Sequence, residues 1–178
     1  MDRLKDRIPD YARDLRLNIS SVLTPQGAPG LGEAQLWMVA LASVIAARNA
    51  ELVRAVEADA MPRLSQAEIE AARAAAAIMG MNNVYYRFLH LVEDEEYAKL
   101  PARLRMNVIG SPGIPKADFE LISLAVSAIN GCGKCVTAHE RVLRQHQVSR
   151  EAVQSAVRIA AVIHAVAGVL DYETARAA

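Results

Sequence analysis

Residues 36–47 read LWMVALASVIAA, a run that is apolar on nearly every side of a helix. A helix on a protein surface shows an apolar stripe only about 100° wide, so this segment must be buried on most sides. Residues 121–129, LISLAVSAI, repeat the pattern. Both runs are shorter than the roughly 20 residues that cross a bilayer, so they are predicted to be core helices of a globular protein.

The composition of the 178-residue chain favours an all-α protein. Hydrophobic residues make up 53% of it and aromatic residues only 4%, and alanine is the commonest residue. Alanine is the best helix former, whereas strands are rich in β-branched and aromatic residues. Lys+Arg and Asp+Glu are both 20, which argues against a protein that coats nucleic acid or an anionic membrane. Residues 1–7 (MDRLKDR) are mostly charged and lack a signal-peptide core, so a cytoplasmic protein is expected.

Proline, glycine and capping residues divide the chain into predicted elements. The N-terminal half is predicted to contain a helical segment over residues 2–17, a loop over 24–30 and one long helix over 31–58. A further helix is capped by Ser65, with Glu68 in a capping box, and is interrupted near Asn82 and Asn83; a solvated helix start follows at 93–96. After a break over 110–115, a helix opens at Asp118, a second break falls at Asn130-Gly131, a helix runs from near Cys132 to about His146, and a last helix over 151–170 is capped by Ser149.

The two halves of the sequence are similar. A shift of 85 residues aligns residues 35–40 with 120–125, and a shift of 84 aligns Ser65 with Ser149. The sequence therefore predicts a single multihelical bundle over 1–178 that arose by internal duplication. Its N-terminal half, 1–109, is expected to be non-catalytic, and its C-terminal half, 110–178, carries the two cysteines.

The residues with catalytic chemistry are concentrated between Glu120 and His139, in the pattern Glu-x11-Cys132-x-Lys134-Cys135-x3-His. On one helix Cys135 and His139 are one turn apart, and Cys132 lies two turns before His139, so two thiols and an imidazole share a face. A helix N-terminus near Cys132 favours a thiolate, and Lys134 adds positive charge. Histidine can take a thiol proton and a carboxylate can orient that histidine, so the set is competent for thiol redox chemistry.

Other interpretations of these residues stay open at this point. The pattern CxxCxxxH supplies three ligands of a zinc site, for which His146, His164 or Glu120 is the candidate fourth ligand. Glu120 alone is also typical of a first-turn carboxylate that stabilises a helix dipole. The remaining histidines and aromatic residues are expected to be structural: His164 and Trp37 in the core, Tyr85 and Tyr86 in packing, and His90 and His146 on the surface.

At these residues the sequence resembles a known family. Residues 119–121 (FEL) and 129–140 (INGCGKCVTAHE) are similar to the site motif of the alkylhydroperoxidase D (AhpD) family, within the carboxymuconolactone decarboxylase-like superfamily. Residues 81–88 (MNNVYYRF) and 116–121 (KADFEL) also resemble that family. The resemblance extends over essentially the whole chain, and its Glu-x11-Cys-x2-Cys-x3-His spacing is specific.

The resemblance implies an all-helical AhpD-like subunit, assembled as a homotrimer, that acts as an antioxidant thiol peroxidase without a bound metal, haem or other cofactor. Carried over residue by residue, Cys135 would attack the hydroperoxide and become a sulfenic acid. Cys132 would resolve it to a Cys132–Cys135 disulfide and supply a proton, and Glu120 and His139 would form the proton relay. Lys134 stands where the family often has histidine, so it keeps electrostatic support for a thiolate but no group that titrates near neutrality.

The resemblance also implies partners. In the family, the protein reduces the peroxiredoxin AhpC and is itself reduced by a dihydrolipoyl group on a lipoylated acyltransferase, which works with lipoamide dehydrogenase. Two alternatives remain: a decarboxylase-like enzyme of the same superfamily that acts on a small lactone acid, and a zinc-stabilised non-enzymatic module. The paired cysteines argue against the decarboxylase, whose chemistry has no use for a dithiol.

Overall fold

A computed structural model describes residues 2–177 of the chain, with side chains from residue 4 onwards. These residues form α-helices, short 3-10 turns and loops, and none of them lies in a β-strand. The predicted all-α fold is therefore confirmed. Met1 and Ala178, the two ends of the predicted unit 1–178, lie outside the described residues.

The helices follow one another through short loops. The first six are α1 (Asp2–Lys5), α2 (Arg13–Val22), α3 (Glu33–Ala47), α4 (Ala50–Ala60), α5 (Gln66–Leu91) and α6 (Glu95–Lys99). They are followed by α7 (Asn107–Gly110), α8 (Lys116–Ile129), α9 (Gly133–Gln145) and α10 (Arg150–Ala177). The long helices α3, α5, α8 and α10 form the bundle, and α9 packs beside α5 and α8.

Helices α3 and α8 form the centre of the bundle. Every residue of α3 from Leu36 to Val44, and every residue of α8 from Phe119 to Ser127, is buried. Helices α5 and α10 pack against both of them. Each fully buried large aliphatic side chain in this core contributes about 1.5–3 kcal/mol. The two apolar runs are core helices as predicted, and one chain supplies their burial without a second subunit.

Helix α10 is long and apolar enough, by length and composition alone, to cross a membrane. Its most apolar 18-residue window has a mean hydropathy of 1.7, and 44% of that window is buried inside the fold. Helix α10 packs against α2, α3 and α8. The core helix of a globular protein passes the same test of length and composition.

The single helix predicted over residues 31–58 is wrong, because the chain turns between α3 and α4. Arg48 ends α3 with a left-handed φ of 68°. The side chain of Asn49 then accepts a hydrogen bond from the backbone N–H of Leu52 at 2.8 Å. Asparagine is among the best N-cap residues because its oxygen satisfies an N–H group that the first helical turn leaves free.

Asn82 and Asn83 do not interrupt α5, contrary to the prediction. The helix is continuous and starts at the predicted capping box, in which Ser65 and Glu68 bond each other reciprocally. Asn83 Nδ2 donates to Ser127 Oγ of α8 at 2.8 Å. Because this amide bonds across to another helix, it does not compete for the backbone of its own helix.

Three other predicted bounds shift. The helix predicted over residues 2–17 is divided at Pro9, which precedes a 3-10 turn at Asp10–Ala12; proline has no N–H group with which to continue a helix. Helix α8 starts at Lys116, two residues earlier than predicted. Helix α10 has the predicted cap at Ser149, whose Oγ accepts from the N–H of Ala152 at 3.0 Å, but it extends beyond residue 170.

The two halves repeat the same order of helices. Helices α3, α4 and α5 have 15, 11 and 26 residues, and α8, α9 and α10 have 14, 13 and 28. In each half a residue with left-handed φ, Arg48 or Gly131, precedes the N-cap residue of the second helix, Asn49 or Cys132. The internal duplication and the boundary between residues 109 and 110 stay predictions, and helices of both halves share one core.

Candidate active site

The cysteine pair lies at the N-terminus of α9, where the sequence predicts a helix start. Asn130 caps the end of α8, and Gly131 has a φ of 67°, a left-handed conformation that favours glycine. Cys132 is the N-cap of α9, and its Sγ accepts a hydrogen bond from the N–H of Cys135 at 3.3 Å. The free N–H groups of this helix end stabilise negative charge on a sulfur atom.

Cys132 and Cys135 are joined by a disulfide, with their Cα atoms 5.3 Å apart. The two residues differ in exposure, since Cys132 is 0% exposed and Cys135 is 7% exposed. Cys135 lines a cavity, and Cys132 is not among the residues of its wall. Of the two cysteines, Cys135 is therefore the one that a molecule in the cavity contacts.

Glu120 and His139 form a largely buried pair beside the cysteines. His139 Nδ1 lies 2.6 Å from Glu120 Oε2, across the turn between α8 and α9. The two side chains are only 6% and 12% exposed, respectively. This contact occupies Nδ1 and leaves Nε2 as the ring nitrogen that can exchange a proton in the cavity, which His139 also lines.

Lys116 is a member of this cluster that the sequence analysis did not single out. Its Nζ lies 2.7 Å from Glu120 Oε1. Burial tends to raise the pKa of Glu120, but hydrogen bonds from His139 and Lys116 and their charges outweigh it, so the pKa is below its usual value. The i, i+4 spacing of Lys116 and Glu120 was the available signal. It was missed because the helix was predicted to start at Asp118, which left Lys116 in a loop.

A cavity of about 250 Å³ gives access to Cys135 and His139. Most of its other wall residues are apolar or aromatic, namely Met79, Tyr86, Met106, Ile109 and Ala138. Lys134 also lines the cavity, and its Nζ lies 6.0 Å from the centre of the Tyr86 ring. The aromatic ring attracts the cation. Because Lys134 precedes Cys135 and lines the same cavity, it adds positive charge near that cysteine.

A polar network connects α5 to the turn that carries Cys132. Arg87 Nη1 donates to the carbonyl oxygen of Asn130 at 2.5 Å, and Asn130 Nδ2 donates to Asn83 Oδ1 at 2.9 Å. Asn83 in turn donates to Ser127 on α8. The network satisfies buried amides and fixes the α8–α9 turn, so it orients the start of α9. Sequence reasoning had treated Asn83 only as a helix breaker.

The other histidines lie away from this cluster. His90 and His146 are exposed, as predicted, but His164 is also exposed, so its prediction as a core residue is wrong. It lies on the outward face of α10, whose buried positions nearby include Ile163 and Val166. The aromatic residues behave as predicted: Trp37 is 8% exposed and Tyr85 and Tyr86 are partly buried.

The arrangement gives no support to the zinc interpretation. Among the residues that the structure describes, no group of three or more His, Cys, Asp or Glu side chains is arranged to hold a metal ion. Of the candidate fourth ligands, His146 and His164 are exposed and lie outside the cluster, and Glu120 is held by His139 and Lys116.

Comparison with known proteins agrees with the resemblance that the cysteine motif indicates. A model of the Carboxymuconolactone decarboxylase family matches residues 95–175. A Rhodospirillum centenum protein named alkyl hydroperoxide reductase AhpD is 57% identical over 175 residues, which cover 98% of this chain and 92% of that protein. The chain belongs to the AhpD family.

Further AhpD relatives extend the similarity over the full length. A Hyphomonas neptunium protein of the same name is 55% identical over 178 residues, covering 100% of this chain and 97% of that protein. One from Streptomyces griseus is 54% identical over 173 residues, covering 97% and 96%. The AhpD resemblance inferred from the cysteine motif is therefore confirmed.

Proposed function

We propose that this protein is an alkyl hydroperoxide reductase, an antioxidant thiol peroxidase that cycles the Cys132–Cys135 disulfide. The observation that supports this best is the position of Cys135, which lines an apolar cavity, is bonded to the buried Cys132 and shares the cavity wall with His139. The relatives at 54–57% identity carry the name alkyl hydroperoxide reductase AhpD.

In the first step Cys135 attacks the hydroperoxide. The Cys135 thiol gives its proton to Nε2 of His139, whose Nδ1 is held by Glu120. The thiolate then attacks the terminal oxygen of RO–OH, so that an S–O bond forms and the O–O bond breaks. Cys135 becomes a sulfenic acid, and the departing alkoxide takes the thiol proton of Cys132 to leave as ROH.

In the second step Cys132 resolves the sulfenic acid. In the disulfide state Cys132 Sγ accepts the N–H of Cys135 at the N-terminus of α9, and the same environment stabilises negative charge on the reduced sulfur. Attack on the Cys135 sulfur forms the disulfide and expels hydroxide, which takes the proton from His139 and leaves as water. Two thiols and ROOH thus give one disulfide, ROH and water.

Two external partners complete the cycle. A dihydrolipoyl group on a lipoylated acyltransferase, kept reduced by lipoamide dehydrogenase, returns the disulfide to two thiols by thiol–disulfide exchange. The reduced pair also regenerates the peroxiredoxin AhpC. Membership of the AhpD family is what supports these partners and a cytoplasmic location, and no surface described above bears on them.

The functional assembly is a homotrimer. A face of α5 supports an assembly, since Val84, Phe88 and Leu91 are 61%, 46% and 69% exposed, respectively. Their spacing puts them on one side of the helix. Exposed apolar surface of this kind is commonly buried by association, whereas the buried runs in α3 and α8 need no partner.

Reconstitution tests the proposed function. We expect the reduced protein, with a lipoylated acyltransferase, lipoamide dehydrogenase and NADH, to oxidise one NADH for each tert-butyl hydroperoxide consumed. The matched variants are Cys132→Ser and Cys135→Ser, both of which should stop turnover with the dithiol donor. Addition of oxidised AhpC in place of the hydroperoxide tests the second partner.

A thiol count in denaturant distinguishes the alternatives. The peroxidase should lose two thiols per chain after one equivalent of hydroperoxide and recover both with a dithiol. A decarboxylase-like enzyme or a structural module should show no such stoichiometric, reversible loss. Continued hydroperoxide turnover by both cysteine variants would disprove the proposed cycle.

A further inference from the structure

Met106 places a thioether on the wall of the cavity that Cys135 also lines. The residue lies just before α7, and its Sδ accepts a hydrogen bond from the hydroxyl of Tyr86, another wall residue, at 3.9 Å. Met106 is partly exposed. A methionine side chain has three rotatable bonds and adapts to its surroundings, so this sulfur can turn towards a molecule in the cavity.

The segment that carries Met106 is loosely packed. None of the residues from 91 to 118 is buried, and residues 101–106 have no regular secondary structure. Met79, the second methionine of the cavity wall, is by contrast only 2% exposed and belongs to the long helix α5. Of the two thioethers in the wall, that of Met106 is therefore the more accessible to a reactant.

The disulfide changes what a hydroperoxide meets in the cavity. The chain has two cysteines, and in the structure both belong to the Cys132–Cys135 disulfide. In the proposed cycle this is the state that waits for a reductant, and a hydroperoxide that arrives then finds no thiol. Methionine thioethers take up one oxygen atom to become sulfoxides. Excess hydroperoxide in the cavity of the disulfide form is therefore left with Met106 as its accessible reactive partner.

We propose that Met106 is an oxidation site, converted to methionine sulfoxide by an organic hydroperoxide bound in the cavity of the disulfide form. This inference rests on the function proposed above. The sulfur attacks the terminal oxygen of RO–OH, so that an S–O bond forms and the O–O bond breaks. The departing alkoxide takes the proton of that oxygen and leaves as ROH. The thioether is thus oxidised by two electrons, and the hydroperoxide is reduced.

The modification changes the cavity wall. A thioether sulfur is a weak hydrogen-bond acceptor, whereas a sulfoxide is polar. The sulfoxide of Met106 therefore takes the hydroxyl of Tyr86 more strongly than the sulfur does, and it places a polar group in a wall that is otherwise largely apolar.

The test compares methionines of one chain in one reaction. The disulfide form is treated with excess tert-butyl hydroperoxide, and the added oxygen is measured at each methionine by peptide mass spectrometry. Met61 is the internal reference, because it is 41% exposed and does not line the cavity. We expect Met106, although less exposed, to be oxidised at least about threefold faster than Met61, since binding in the cavity holds the hydroperoxide beside the sulfur. Met38, which is 1% exposed, should stay unmodified.

Filling the cavity distinguishes a bound hydroperoxide from one that attacks from solvent. Ala138 of α9 lines the cavity, so Ala138→Phe should lower the rate at Met106 to that of Met61 or below and leave the rate at Met61 unaltered. Ala77→Phe is the matched control, because Ala77 is an exposed residue of α5 that does not line the cavity. It should leave both rates unaltered. Hydrogen peroxide, which has no alkyl group to fill an apolar cavity, should not favour Met106 over Met61.

Three results would overturn the inference while leaving the proposed function intact. The first is faster oxidation of Met61 than of Met106, which would mean that the rates follow exposure alone. The second is an unchanged rate at Met106 in a folded Ala138→Phe protein. The third, which needs no variant, is the same preference for Met106 with hydrogen peroxide as with tert-butyl hydroperoxide. A reduced parent protein whose thiols do not react with hydroperoxide would refute the proposed function itself.

Discussion

Replacing Glu120 by glutamine tests the proton relay most directly. The substitution keeps the size of the side chain and an oxygen that can accept from His139 Nδ1, but it removes the negative charge. In the structure that charge lies 2.6 Å from His139 and 2.7 Å from Lys116 Nζ, on a side chain only 6% exposed. Glu120→Gln therefore removes the electrostatic part of the relay with little change in packing.

The expected loss follows from the difference between charged and neutral hydrogen bonds. A hydrogen bond to a charged group contributes about 1.5–3 kcal/mol, and a neutral one about 0.5–1.5 kcal/mol. A difference of about 1.4 kcal/mol is a tenfold change in rate. We therefore predict that Glu120→Gln slows hydroperoxide reduction at pH 7 about tenfold, whereas His139→Phe, which removes the base, slows it about 10²–10⁴-fold.

The assay is the single-turnover rate of Cys135 thiol loss with hydroperoxide, measured from pH 6 to pH 10. Part of the loss should be recovered at high pH, because solvent then generates the thiolate without the relay. Glu140→Gln is the matched control, since it makes the same charge change on a side chain of α9 that is 42% exposed. It should leave the rate within about twofold of the parent, as an exposed charge is screened by solvent.

Two results would refute this reasoning. If Glu120→Gln and Glu140→Gln lower the rate equally, the effect is one of net charge and not of the bond to His139. If His139→Phe retains the parent rate at pH 7, no histidine base takes the thiol proton of Cys135. Thermal unfolding of each variant checks that the fold is preserved.

Three further measurements test the role of Lys116, the roles of the two cysteines and the trimer. Lys116→Met removes a cation that lowers the pKa of Glu120, so that pKa should rise, and the acidic limb of the pH–rate profile should move to higher pH. Glu120 stabilises the fold above its unfolded pKa and loses that effect as pH falls through the folded value, so the midpoint of acid unfolding, followed by circular dichroism, should also move to higher pH. In a Cys132→Ser protein, dimedone after one equivalent of hydroperoxide should label Cys135; labelling confined to Cys132, in a Cys135→Ser protein, would reverse the assigned roles. Light scattering should give three times the chain mass of 19.3 kDa, and a monomer mass at micromolar concentration would contradict the trimer.

The spacing of the cysteine motif was sufficient to predict most of the candidate site. Cys132, Cys135 and His139 lie within two turns of one helix, so their proximity depends only on helical geometry. The pairing of Glu120 with His139 was expected because a carboxylate can orient an imidazole, and the turn at Asn130-Gly131 brings the two side chains together. Lys116 was missed since its helix begins two residues earlier than the proline and glycine signals suggested.

The wrong predictions of helix breaks and of the burial of His164 have a different cause. The break at Arg48 and Asn49 was overlooked because alanine-rich sequence on both sides has high helix propensity, and a single capping asparagine outweighs it locally. Asn82 and Asn83 were predicted to interrupt a helix, yet α5 is continuous and Asn83 bonds to Ser127 on α8. His164 is exposed because α10 presents that position away from the core, which hydrophobicity of the neighbouring sequence did not reveal.

The sequence by itself determined the helical class, the two buried core helices, the cysteine pair at a helix start and the family, because helix propensity, apolar periodicity and motif spacing are local properties of the chain. Only the tertiary structure decided which thiol faces the cavity, that Asn83 bonds across to α8, and how Lys116 holds the carboxylate. These features depend on contacts between α5, α8 and α9, which are distant in sequence, and on burial, which no residue has until the helices pack.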